Sequence, residues 1–239
     1  MGNALRSISE KIRWSLVLRA AVVALAWLVA PTPVFLGAGG YFYFSPLFQP
    51  FKFIWSFAAF LVLGALFASV EGPAHLILGV AFGAVFFLIL GVKDFVFVNR
   101  VPALFFIFVP LLAGTVGAFF SRVQPTALGA IGASALTALA IALLLKEFLA
   151  AVLPDVAPAT TRAAAAILAF LAIQTMWAIS FLPLDFINAA ALVVTLLVLA
   201  TEIVILSLRN TLTRKRLILY GATALVLVGG ILLAAKWSL

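Results

Sequence analysis

The chain has 239 residues, 67% of them hydrophobic and 9% charged, with a mean hydropathy of +1.32; soluble domains sit near about 45–50% apolar and about 25% charged, so a water-soluble globular domain is excluded. It has no cysteine, and His75 is its single histidine, which removes disulfides, thiolate nucleophiles and multi-histidine metal centres. The net charge of +8 is spread over the ends of apolar runs, with no polar domain to hold nucleic acid, so the cations read as topology signals and as attraction for anionic lipid head groups.

An apolar run of about 20 residues crosses the hydrocarbon core as a helix, and the runs here predict an all-α, polytopic integral membrane bundle of about eight such helices, with seven to nine compatible with the pattern. Residues 1–13 form a basic tail. Residues 14–239 form a single transmembrane domain with a composition break near 121–126. The opening MGNALRSISEKIRW is basic, as a signal peptide's start would be, but Arg19 and Pro31-Thr32-Pro33 follow with no small-residue cleavage site, so an uncleaved first helix is expected.

In chain order, the first segment covers Trp14 to Leu36, weakened by Arg19 and its prolines. The aromatic passage Tyr41 to Trp55 suits the head-group level as an interfacial belt, with Tyr41 to Phe51 open to a re-entrant path. The second segment, Phe51 to Val70, is stopped by Gly72-Pro73. The third, Ala74 to Val92, contains Gly79-xxx-Gly83, a spacing that lets helices approach closely in lipid. KDFVFVNR (Lys93 to Arg100) leads to the fourth, Val101 to Phe120, with Pro102 in its first turn. Of the 23 phenylalanines, 19 precede Ser121, whereas the rest of the chain is rich in Ala and Leu, so the sequence shows no repeat of matching halves.

The fifth segment, Ala127 to Leu153, presents Ala130, Ser134, Ala138 and Ala142 at steps of four, a small-residue stripe suited to a central position in a bundle. The sixth, Arg162 to Leu182, has Thr161 as its expected N-cap, and a Pro183-Leu184-Asp185 turn makes it a hairpin with the seventh. The seventh begins near Ile187 and stops at the basic string RNTLTRKR. The eighth, Leu217 to Ala235, ends in Lys236-Trp237 at the interface.

If every segment spans, Lys52, Lys93, Arg100, Lys146, Arg162 and the string Arg209, Arg214, Lys215 and Arg216 share one side. Arg6, Lys11, Arg13, Arg19, Arg122 and Lys236 take the other. The excess on the first side places Arg209–Arg216 in the cytoplasm of a bacterial-type inner (plasma) membrane. The basic tail pulls the opposite way, a conflict that a non-spanning first segment would remove.

Glu202 is the leading chemical candidate, because a carboxylate inside an apolar helix is expensive unless a partner or a function uses it. The parallel fifth helix brings Lys146 to similar depth, and Gln174 and Thr195 match in depth across the hairpin, so these four residues outline a substrate or ion pathway or, more plainly, a structural ion pair. On the opposite face Glu71, His75, Arg122 and Asp185 fall in short turns, which suits an acid–base cluster for a head-group enzyme but equally suits polar residues placed where water is. The passage IGASAL around Ser134 resembles the serine motif of rhomboid-type intramembrane proteases. Those enzymes need a histidine on a later helix to activate the serine, and His75 lies upstream. No catalytic residue, cofactor or metal is assigned. Three functions compete: a carrier or pore for a small solute or lipid that uses Glu202, a structural or assembly subunit packed against membrane partners or a second copy, and a lipid head-group enzyme. Beside the bilayer itself, the expected partners are anionic lipid head groups at Arg209–Arg216.

Overall fold

A computed structural model of the protein describes residues 14–45, 51–94, 100–122 and 127–235. The basic tail, residues 95–99 of KDFVFVNR, residues 123–126 of the composition break, the Lys236-Trp237 end and the side chain of Arg122 lie outside the described residues.

The described helices are α1 (Trp14–Val29), α2 (Thr32–Phe44), α3 (Ile54–Leu66), α4 (Pro73–Lys93), α5 (Arg100–Arg122), α6 (Ala127–Val152), α7 (Pro158–Ser180), α8 (Phe186–Leu208) and α9 (Arg214–Ala234). Six of them, α4 to α9, are long and apolar enough to cross a membrane, and α1 and α3 are shorter apolar helices. The protein is therefore a polytopic membrane protein built of helices.

Local chemistry explains where the helices stop. The predicted first crossing is two helices: α1 ends at Val29 and α2 restarts at Thr32. Pro31 cannot donate into a continuing helix, and Pro33 fits the first turn of a new one. The second segment is trimmed to Ile54–Leu66, since its N-cap Phe53 has φ 60, a left-handed backbone that cannot prolong the helix upstream. Gly72, with φ 80, precedes Pro73 and opens α4. The expected cap at Thr161 is displaced, because Pro158 already begins α7 behind the N-cap Ala157. Thr161 Oγ1 instead donates to Pro158 O at 3.1 Å.

The chain divides into two compact units, residues 1–107 and 108–239. In the first, α1 packs on α2 and α4, and α3 packs on α2 and α4. Its core is aromatic: the Tyr43 ring stacks on Phe57 with centroids 3.9 Å apart, Phe60 meets Phe82 and Phe86 at 5.5 and 5.4 Å, and Trp27 meets Phe82 at 4.9 Å. Glycine permits the closest approaches. A Cβ at Gly83 would lie 2.9 Å from that of Ala24, and one at Gly64 would lie 2.5 Å from the Phe35 ring. The Gly79-xxx-Gly83 face is thus a helix contact, with α1 as its partner.

In the second unit α6, α7, α8 and α9 pack each on the next. The buried face of α6 runs Ser134, Thr137, Ile141, Leu144, Leu145, Phe148 and Leu149, steps of three and four that keep one side of a helix inward. Phe148 also stacks on Phe108 of α5 at 4.4 Å. By contrast, α9 buries none of its residues from Arg214 to Ala234.

Candidate functional site

The last four carbonyls of a helix have no partner within it, and in hydrocarbon each open carbonyl costs several kcal/mol. Among the described residues, a side-chain donor from elsewhere in the fold reaches such a carbonyl at four helix ends. His75 Nε2 on α4 donates to Leu28 O of α1 at 3.1 Å, and Trp27 Nε1 on α1 donates to Gly64 O of α3 at 2.8 Å. Lys93 Nζ, ending α4, donates to Tyr43 O of α2, and Arg209 Nη2, just after α8, donates to Val152 O of α6 at 2.9 Å. Because a carbonyl only accepts, Nε2 carries a proton, and Nδ1 is buried with no hydrogen-bond partner.

Lys93 is the strongest polar feature of the first unit. It is 0% exposed, and its ammonium lies 4.3 Å from the Tyr43 ring centroid, a cation–π contact. The Tyr43 hydroxyl continues the chain by donating to Lys52 O, and Asp94 follows as the C-cap of α4. Sequence reasoning grouped Lys93 with the cytoplasmic cations and missed this burial. A lysine at the end of an apolar run looks alike whether it faces water or closes a neighbouring helix.

Glu202 is half-buried on α8, with the cation Arg209 at the C-cap of the same helix. Seven residues separate the two, two turns along one helix face. Lys146 is half-buried on α6, and no ion pair joins it to Glu202. The ends of α6 and α8 do approach each other, since Arg209 Nη2 reaches Val152 O, yet the two charges are not paired. Gln174 is exposed on α7, Thr195 is half-buried on α8, and no hydrogen bond joins these two. Fully buried Thr201, beside Glu202, returns its hydroxyl to Leu197 O at 2.7 Å. Thr115, Ser134 and Thr175 do the same to the carbonyl four residues back, at 2.7, 2.7 and 2.8 Å, so these hydroxyls are satisfied inside their own helices.

Of the predicted turn residues, Glu71 and His75 belong to the first unit, and Arg122 and Asp185 to the second. Glu71 is exposed. His75 is stacked on Trp27 with centroids 4.6 Å apart, so its ring is part of the α1–α4 packing. Asp185 precedes α8 and accepts from Asn188 Nδ2.

A pocket of about 310 Å³ opens in the second unit, lined by Phe119 and Phe120 of α5, Ala130 of α6, Trp177, Ile179 and Ser180 of α7, Leu182, Leu184, and Phe186 and Ala189 of α8. Four helix ends thus build it: the close of α5 and α7 and the start of α6 and α8. The Trp177 indole N–H is engaged by Ser134 Oγ at 3.0 Å, and Ser180 Oγ donates to Trp177 O at 2.7 Å. Aromatic and aliphatic side chains supply a little over half of the open wall and polar atoms nearly as much, in a volume at the lower end of the roughly 300–1,000 Å³ typical of small-molecule sites. Sequence reading missed the pocket because each aromatic residue reads singly as an interfacial anchor. Their convergence exists only once the four ends are brought together.

No family model, curated protein or solved structure matches this chain.

Proposed function

We propose that the protein is a membrane-embedded carrier or binding protein for an amphipathic small molecule of lipid-like chemistry, held in the pocket at the α5, α6, α7 and α8 ends. The observation that carries this reading is the character of the pocket wall. Phe119, Phe120, Trp177, Leu182 and Phe186 supply apolar area, and the hydroxyl and indole donors beside them are already bonded within the protein. Polar atoms make up nearly as much of the open wall as apolar ones, which suits an amphipathic molecule: its chain gains by burial against the rings, while its polar end keeps hydrogen-bonding surface within reach. Glu202, Lys146, Gln174 and Thr195 supply no common polar path in this reading, and Glu202 with Arg209 serves the far end of α8.

Because the chain has no cysteine, a photoreactive fatty acyl probe can be followed to single introduced positions. Ala130→Trp and Ala189→Trp, which fill the pocket, lower probe capture at least about tenfold, a loss of about 1.4 kcal/mol. Ala135→Trp, on an exposed face of α6, leaves capture unchanged. Equal capture by the filled and open pockets refutes the site.

A subunit role is the second reading, and α9 favours it: a helix that packs on α8 yet buries no residue leaves most of its apolar surface to lipid or to another membrane helix. Invariable co-purification with one partner, together with wild-type probe capture by the Ala130→Trp protein, would replace the carrier by the subunit.

A further inference from the structure

We propose that the turn between α8 and α9 binds the head group of an anionic phospholipid through Arg214, Lys215 and Arg216, with the lipid's acyl chain along the adjoining face of α9. This site lies apart from the pocket, and its failure would leave the carrier reading as it stands.

The charge is the first support. Arg214, Lys215 and Arg216 are all exposed and fill the first turn of α9, and no acidic residue follows Glu202 in the chain. Cations at a helix N-terminus are opposed by the helix dipole, so three of them there concentrate positive potential that an anion relieves. Arg209, although part of the same basic string, is not counted, because its guanidinium reaches across to Val152 O of α6, whereas the Arg216 bond to Thr211 O stays within the turn.

The turn is also ordered. Asn210 N and Thr211 N donate back to Ser207 O and Leu206 O at 2.9 Å each, Thr213 Oγ1 caps α9 by accepting from Arg216 N at 3.3 Å, and Arg216 Nη1 donates to Thr211 O at 3.1 Å. Little ordering entropy is left to lose on binding. Immediately beyond the cations, Leu217, Ile218 and Leu219 are 48%, 62% and 64% exposed. A phosphate ion would use the cations and leave this apolar flank uncovered; a phospholipid covers both, and the cluster's charge selects an anionic head over a zwitterionic one.

The test titrates the full chain, in a neutral detergent, with phosphatidylglycerol, phosphatidylcholine or inorganic phosphate, and counts bound lipid by native mass spectrometry. Each membrane-facing cation is worth about fivefold in affinity for an anionic lipid. Phosphatidylglycerol should therefore bind more tightly than phosphatidylcholine, Arg214→Gln should weaken it about fivefold, and the Arg214→Gln, Lys215→Gln, Arg216→Gln protein about a hundredfold. Arg162→Gln, which removes an exposed cation of α7, should leave binding unchanged. The proposal is overturned if the triple variant keeps its phosphatidylglycerol, if Arg162→Gln costs as much as Arg214→Gln, or if inorganic phosphate displaces the lipid completely. Should the triple variant not fold, Arg214→Gln beside Arg214→Lys decides: a fivefold loss restored by lysine supports the site, and equal binding by both removes it.

Discussion

The two units close their helices by different means. In the first, the ends of α1, α2 and α3 are each completed by a side chain from elsewhere in the unit: His75, Lys93 and Trp27. Stacked rings fill the space between these helices, and glycines bring their backbones together. In the second unit, hydroxyls return to their own helices and one imported donor, Arg209, closes α6. Short, broken helices have many open ends for their length and need outside donors. Long ones satisfy themselves and are held by side-chain packing. Mutations should therefore strike the first unit harder than the second.

The largest effect is expected at Lys93. Lys93→Met strands the Tyr43 carbonyl in an apolar surround and should cost about 3 kcal/mol, read as a lowered thermal unfolding midpoint in detergent; Lys93→Arg, which keeps a donor, should cost clearly less. Equal loss from both would mean that the ammonium's hydrogen bond is not what holds α2. Gly83→Val forces a side chain against Ala24 and should cost about 2 kcal/mol, against less than about 0.5 kcal/mol for Ala138→Val on the half-buried flank of α6. Reversal of that order would remove the distinction between the units.

Smaller effects test the second unit. Arg209→Met should cost about 1 kcal/mol, the loss of one hydrogen bond to Val152 O made by a residue that is itself exposed. Trp177→Phe removes only the donor to Ser134, whose own hydroxyl still has Ala130 O, and should cost about 0.6 kcal/mol in chemical unfolding. Last, Glu202→Gln and Lys146→Met should combine additively, with coupling near zero in a double-mutant cycle, whereas Glu202→Gln and Arg209→Gln should couple.

The long crossings were legible in the sequence because their stops are local. Gly72-Pro73, Pro183 and the RNTLTRKR string interrupt the apolar pattern wherever the chain goes next. The break at Pro31 was visible only as a weakness, since a proline inside a membrane helix is tolerated when a neighbour answers the freed groups, and the sequence does not say which neighbour. The site was less legible for the same reason. Glu202 stood out as an acid in an apolar run, but whether Lys146 meets it depends on how far each side chain leans toward the other, which helix spacing does not give, and the two do not pair in the structure. Lys93 and His75 read as turn polar groups, yet their roles are fixed by carbonyls roughly fifty residues away, beyond the reach of any local pattern.

Those separations also set an order of assembly. The Leu28 carbonyl lies 47 residues before its donor His75, and the Tyr43 carbonyl 50 residues before Lys93. At synthesis rates of about 5–20 residues per second, each carbonyl waits roughly 2–10 s on the ribosome before its donor has even been made. During that interval the ends of α1 and α2 have a reason to stay near water or the insertion machinery, since hydrocarbon offers them nothing. The first unit is thus set to enter the bilayer as a group once α4 emerges. A nascent chain stalled before His75 should remain extractable by alkaline carbonate, and one stalled after Lys93 has cleared the ribosome should not.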